Sequence, residues 1–421
     1  MRRDIICAVD IGTSKICVMV GLCEENMPLQ LIGHSEVPLN GEVIKGEIVD
    51  MPGMLEKFVA AIEQADASCG MRLNNAVYTS IAVSGCGISS YQDFGQVLVD
   101  SEDNKVSPKD LEAAGEQISK KSIGVNQEQL HIIDICYQLD NSRHASNPIG
   151  QVASSFKLFC HIIYGDTSRL NNFRELYAAA GFEDEPMLVF SGLTDLFIVD
   201  AAEREKGVLL IDFGRGTTEY IVHYKSGVIA SGTIPVGFDN VANDIAIGLN
   251  LNIEDARKIL TDNTLTKAIS GGASMIQPAI PGAPRRIPVA SFEKIIDARL
   301  REIFTIIKSK VSDQDILRGL AAGGVMTGGG ALFPRSIEIA STVFELPIRV
   351  GAPYSGTGEL DEFADPRYST VWTALRFTDD TLRSEHHGRA RSFSGAIFGT
   401  VGTVGDAVWR AIAGIKRSIK I

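Results

Sequence analysis

Asp10-Ile11-Gly12-Thr13-Ser14-Lys15 closes a short apolar run, and Asp212-Phe213-Gly214-Arg215-Gly216-Thr217-Thr218 closes a longer one later in the chain. Each copy sets a carboxylate at a strand end, a glycine two residues on, and hydroxyls just beyond. Backbone N–H groups left open by glycine, with hydroxyls beside them, suit phosphate oxygens, and a strand-end aspartate suits a hydrated magnesium ion. One Asp-x-Gly alone is an ordinary turn. Here each copy brings the same flanking strands, expected at 15–21 and 219–224 with a third at 29–35 and 228–233, and ordinary turns do not carry their neighbours with them. The expectation is two facing hairpins clamping a nucleotide between related halves.

A third glycine turn, Thr327-Gly328-Gly329-Gly330, follows an apolar strand and feeds a helix, where glycine lets backbone approach an adenine or ribose. The end of the chain has different chemistry. At 100° per residue Val404, Val408, Ile412, Ile415 and Ile419 share one helical face, Arg410, Arg417 and Lys420 lie opposite, and Trp409 and Lys416 sit at the boundaries. A basic amphipathic helix with an edge tryptophan suits an anionic membrane surface.

The elements that must position these residues read as α/β. Pro52 opens a helix with Leu55, Phe58, Val59 and Ile62 on one face, and 76–84 reads as a strand. Alternating segments at 94–99 and 130–139 surround a helix beginning at Ser107-Pro108-Lys109-Asp110, which makes 85–162 an inserted small domain. Helix at 166–181, strand at 187–190 and helix at 192–203 lead to the second phosphate turn. Helices at 239–249, 252–260 and 291–310, the last two separated by a Gly-Ala-Pro-rich loop at 271–288, form an outlying module at 241–310. Strands at 320–326 and 348–350 flank a helix reaching Phe344. Residues 378–402, rich in Ser, Gly, Arg and His, read as a linker. The His386-His387 pair within it lacks carboxylate or thiol partners at ligand spacing.

At 421 residues, with 45% hydrophobic side chains, the chain has material for two or three domains. A net charge of -12 excludes a general nucleic-acid binder, which needs clustered cations to displace phosphate counterions. Cysteines 7, 17, 23, 69, 86, 136 and 160 form no CxxC pair and read as reduced thiols, hence a cytosolic compartment. Asp10 and Lys15 interrupt the first apolar run too early for a signal peptide, and no stretch is long enough for a transmembrane helix.

The three glycine turns in this order resemble the actin, sugar-kinase and heat-shock-chaperone ATPase superfamily. The resemblance implies an actin-like fold of two related halves, with mixed sheets around a nucleotide cleft that takes ATP and Mg2+. It also implies that Asp10, Gly12, Thr13, Ser14 and Lys15 face Asp212, Gly214, Gly216, Thr217 and Thr218 across the phosphates. Asp10 and Asp212 would organise the metal through water, and Gly328, Gly329 and Gly330 would approach the adenosine. Only 36–52 separates the third strand from the first helix, so the usual actin insert has no room there; the insert comes instead after the next strand. That placement is similar to the FtsA family of bacterial cell-division proteins. So are Ser84-Gly-Cys-Gly-Ile-Ser89, Asn147-Pro148-Ile149-Gly150, Ile234-Pro-Val-Gly-Phe-Asp-Asn-Val-Ala-Asn-Asp-Ile-Ala246, Gly351-Ala352-Pro353 and Pro366-Arg367-Tyr368-Ser369-Thr370.

The FtsA resemblance implies a filament-forming adaptor on the cytoplasmic face of the membrane. It would join the FtsZ C-terminal peptide to an anionic surface and recruit other division proteins through an SHS2-like insert. Its halves would be 1–84 with 163–203 and 357–377, and 204–240 with 311–356, followed by a membrane helix at 403–421. Module 241–310 would take the FtsZ peptide, with Arg285, Arg286 and Arg299 as contacts. The chain departs from the family at Arg215, Glu219, Phe238 and Ala242, and Asp255 and Lys258 are the nearest match to the family's Glu-x-x-Lys on the adenine side. Arg215 either meets phosphate with a cation or obstructs it with bulk. No catalytic base is legible, so hydrolysis stays open. A PilM-like pilus scaffold and a sugar-kinase-type phosphotransferase are the alternatives.

Overall fold

The structure is a computed structural model. It describes residues 3–386 apart from 26, 76–77, 86, 122, 141, 146, 225–226, 278–285, 312–313 and 354–362. Residues 403–421, with every membrane-facing position expected above, and Arg285 lie outside the described residues.

The chain begins as an antiparallel meander of β1 (Arg3–Ile11), β2 (Lys15–Glu24) and β3 (Gln30–Pro38). Helix α1 (Met51–Cys69) crosses over to β4 (Tyr78–Val83), which pairs parallel with β1. Asp50 caps α1 by accepting from Gly53 N at 3.1 Å, and Gly70 ends it in the left-handed region at φ 72°, which favours glycine. Met54, Phe58, Ala61, Ile62 and Ala65 fall on its buried face at helical spacing. Fully burying a side chain such as Phe58 stabilises the fold by roughly 2 kcal/mol.

Between β4 and α3 (Thr167–Ala179) lies the insert: β5 (Ser89–Leu98), α2 (Pro108–Ser119), β6 (Gln127–Leu139), β7 (Arg143–Ala145) and β8 (Ser155–Asp166). Its sheet runs β5-β8-β6-β7. Ser107 and Asp110 form a capping box at the start of α2. β9 (Met187–Phe190) then completes the first sheet in the order β9-β4-β1-β2-β3.

The second half repeats the plan. β10 (Val208–Phe213), β11 (Thr218–Tyr224) and β12 (Gly227–Ile234) form the meander; helices α4 (Phe238–Leu249), α5 (Ile253–Thr261) and α6 (Val289–Lys310) precede β13 (Gly324–Thr327), parallel to β10. After α7 (Pro334–Phe344), β14 (Ile348–Val350) closes the order β12-β11-β10-β13-β14. The chain returns to the first half as α8 (Ser369–His386).

β1 is buried on both faces, and its alternation sorts the packing. Cys7, Val9 and Ile11 join the core beneath α1, whereas Ile6 and Ala8 pack with Val371, Trp372, Ala374 and Leu375 of α8.

Three expectations need correction. The helix expected at 192–203 is broken into Ser191–Thr194, Asp195–Ile198 and Ala201–Lys206, because Asp200 and Glu203 form a new capping box. The linker expected from 378 begins too early: α8 runs through His386, anchored by buried Thr378, Asp379 and Leu382. The strand expected at 320–326 is confined to Gly324–Thr327, since 316–323 turns through Gly319 N to Ile316 O and Gly323 N to Leu320 O hydrogen bonds.

Candidate functional site

The two phosphate hairpins share one register. Asp10 lies opposite Cys17 and next to Ala82 of the parallel strand; Asp212 lies opposite Glu219 and next to Thr327. Each turn is then tight: a Cβ on Gly12 would stand 3.4 Å from Lys15 O, and one on Gly214 would stand 3.0 Å from Thr217 O. The hairpins meet at their tips. A Cβ on Gly216 would collide with the Thr13 hydroxyl, and Thr217 Oγ1 lies 3.5 Å from Ser84 Oγ.

The floor of the cleft is acidic. Burial, reinforced by the Asp212 charge and opposed by Lys15, pushes Asp10 up to about 7. Burial pushes Asp212 up to about 6, against hydrogen bonds from Thr370 and from Asp195. Asp195 and Glu219 are almost fully buried, and desolvation, reinforced in both by the Asp212 charge, holds them well above the carboxylate range. Asp195 Oδ1 accepts from Thr373 Oγ1 at 3.0 Å. Sequence reasoning missed Asp195, although a lone carboxylate inside Leu193-Thr194-Asp195-Leu196-Phe197 is itself a signal.

Hard oxygen donors whose charges crowd one another fit a divalent cation. Among the described residues no three metal-ligating side chains converge.

Lys15 is committed to Glu36 at 2.7 Å and lies 4.0 Å from the centre of the Tyr368 ring. A side cavity of about 420 Å³ opens beside this pair, with Cys17, His34, Glu36, Phe363 and Tyr368 in its wall; none of the three turns lines it.

The three glycines of the third turn do different jobs. Gly328 has φ 80°, and a Cβ there would strike Asp212 Oδ1; one on Gly330 would strike the Phe213 ring. Both therefore serve close packing against the second hairpin. Gly329 alone faces open space, its nearest neighbour being Arg367 Cγ at 3.9 Å.

The segment 366–370 ties the turns together. Pro366 O accepts from Gly328 N at 3.3 Å, Ser369 Oγ accepts from Thr327 Oγ1 at 2.6 Å, and Thr370 Oγ1 donates to Asp212 Oδ2 at 3.2 Å.

Arg215 donates through Nε to Asp239 Oδ1 at 3.1 Å, and Arg257 grips the same carboxylate bidentately at 2.9 and 2.6 Å. The α5 side chain that reaches the second turn, through Asp239, is thus Arg257. Asp255 instead binds the N-cap Asn252, its N donating to Oδ1 at 2.7 Å, and Lys258 is exposed. Phe238 packs edge-on against Phe213, 5.7 Å between centroids, and Ala242 is buried behind it. Farther out, Arg299 is held by Asp244 at 2.6 and 3.0 Å and by Glu302 at 2.8 Å, while Arg286 is exposed.

Two meanders of equal register with facing turns, and a final described helix that returns to the first half, define an actin-like fold. Solved structures agree. The PilM-PilN type IV pilus biogenesis complex superposes with TM-score 0.57 at 14% identity, over 88% of this chain and 97% of that one. MreB 5 of Spiroplasma citri bound to AMPPNP gives 0.53 at 12%, over 92% and 99%. At such identities the likeness shows the fold.

Sequence is more particular. The cell division protein FtsA model matches residues 209–372, and the model of the SHS2 domain inserted in FtsA matches 85–164. Cell division protein FtsA of Borreliella burgdorferi is 30% identical over 375 residues, 88% of this chain and 90% of that protein. The chain belongs to the FtsA family of cell division proteins.

Proposed function

We propose that the chain binds Mg-ATP between its halves, polymerises, and anchors FtsZ filaments to the cytoplasmic face of the membrane at the division site. The paired hairpins in one register, meeting at Thr13 and Gly216, carry this reading together with family membership. Bound Mg2+ would neutralise phosphate charge, held through water by Asp10 and Asp212. Gly12, Thr13 and Ser14 would hold phosphate from one side, with Gly214, Gly216, Thr217 and Thr218 on the other, while Gly329 admits the adenosine.

Beyond the cleft, module 241–310 would receive the acidic FtsZ peptide at exposed Arg286 and neighbouring Arg285, with Arg299 bracing Asp244. Insert 85–162 would receive other division proteins. The basic helix at 403–421 would hold one subunit only reversibly: each cation contributes about 1 kcal/mol at an anionic surface, and the inserted aliphatics a few more, less the ordering cost. Several tails on one filament make each further contact intramolecular. ATP would thereby govern attachment through assembly.

Co-sedimentation of the full chain with FtsZ and phosphatidylglycerol vesicles, with and without Mg-ATP, tests the reading. FtsZ should pellet with vesicles only when the chain and Mg-ATP are both present, and deleting 403–421 should abolish it. Vesicle binding that survives the deletion, or that ignores nucleotide, overturns the proposal.

A further inference from the structure

Arg215 stands inside the second phosphate turn where the family resemblance calls for glycine, and its surroundings show which way it acts. Its backbone is fixed: Gly214 O accepts from Phe238 N at 3.0 Å and Arg215 O from Asp239 N at 2.9 Å, so the turn is bolted to the first turn of α4. A Cβ on Gly237 would run into the Arg215 carbonyl, which shows how closely the two segments pack. The side chain is steered rather than buried, with 32% of it exposed.

Among the described residues its one hydrogen bond is the 3.1 Å contact from Nε to Asp239. Asp239 is already gripped twice, at shorter range, by Arg257, so little of its charge remains for Arg215. The Nη pair is consequently uncommitted. Lys15, the cation of the opposite turn, is occupied by Glu36. The floor between the turns carries Asp10 and Asp212, whose ionised forms repel a polyphosphate unless cations stand nearby.

We propose that Arg215 is a specificity residue for the nucleoside triphosphate: Asp239 holds its Nε from behind, and its two Nη groups are presented to the terminal phosphate. The planar fork matches two phosphate oxygens, which a lysine does not. This assignment rests on the nucleotide reading above. It explains why a bulky residue is accommodated in the turn: the side chain is drawn toward α4, away from the Thr13–Gly216 contact.

The test is isothermal titration of the full chain with Mg-ATP and Mg-ADP for wild type, Arg215→Gln and Arg215→Lys, each checked by thermal melting. Arg215→Gln should weaken Mg-ATP at least tenfold and Mg-ADP less than threefold. Arg215→Lys should recover only part of the loss, which also covers the case in which the glutamine variant folds poorly. Equal losses for both nucleotides, or no loss, overturn the assignment while leaving the nucleotide site intact. Tighter ATP binding by Arg215→Gln shows obstruction and overturns it as well. Wild type that binds neither nucleotide, with Arg215→Gln equally inert, sinks the nucleotide reading and this inference with it.

Discussion

The Thr370 hydroxyl donates to Asp212 Oδ2 at 3.2 Å, joining the first turn of α8 to a carboxylate near the end of β10. Residues far apart in sequence are thereby placed in one polar contact, and the helix that leads toward the C terminus begins on the floor of the cleft. This bond is one of two that offset the effect of burial on Asp212.

Thr370→Val removes the bond with little change in volume. Asp212 should then rise further above about 6 and hold its proton longer, so less carboxylate is available at neutral pH. Losing a hydrogen bond of about 1 kcal/mol corresponds to roughly a fivefold rise in the Mg2+ concentration needed for half-maximal ATP binding. Thr370→Ser should restore the wild-type midpoint. If the valine variant keeps that midpoint, Thr370 has no part in the site.

Alanine at neighbouring glycines separates packing from access. Gly330→Ala drives a methyl into the Phe213 ring and should destabilise the fold by about 1–3 kcal/mol, read as a lower urea midpoint. Gly329→Ala meets nothing nearer than Arg367 Cγ and should leave that midpoint within about 0.5 kcal/mol of wild type. Its effect should appear instead as weaker nucleotide binding. Equal losses of stability at both positions would contradict the described turn.

A pH-dependent contribution comes from the insert, where it faces the second half. His161 is buried, its Nε2 2.7 Å from Ser231 Oγ and its Nδ1 without a hydrogen-bond partner among the described residues, and burial pushes its imidazole down to about 3. An unfolded histidine takes up a proton near pH 6.5, so between that pH and about 3 the unfolded chain binds the extra proton. Stability from neutral His161 is present above 6.5 and falls by about 1.4 kcal/mol per pH unit below it. Asp10 and Asp212 act in the opposite direction, because their raised values favour the protonated fold, so the informative quantity is a difference. The stability gap between wild type and His161→Gln should narrow by about 2 kcal/mol from pH 6.5 to 5. A constant gap would mean that His161 is free to protonate in the fold.

The legible parts of the chain were those written in repeating pattern. The β1–β2 and β10–β11 hairpins announced themselves because the same residue types recur at the same offsets, and α1 because its apolar positions follow helical spacing. What stayed hidden depends on direction and partner. Asp255 and Lys258 lie on either side of Arg257, yet of the three only Arg257 points at Asp239, and no spacing rule reveals that choice. The last turns of α8 looked like linker because Thr378 and Asp379 are polar; their burial becomes evident only once Ser80 and Cys23 are brought against them, at 2.7 Å each. The roles of Gly328 and Gly330 likewise required Asp212 and Phe213 to be in place.

The insert is threaded into the first half and is also seated on the second. Ser90 Oγ donates to Ser231 O at 2.7 Å, Gln92 Nε2 donates to Ile229 O at 2.9 Å, and Ile135, Cys136 and Phe159 share the core of β10–β12. Rotation of one half against the other therefore shears this seam. A partner bound to the insert and a ligand bound between the halves would load the same mechanical joint, and any coupling between them would, by thermodynamic reciprocity, change both affinities by the same factor.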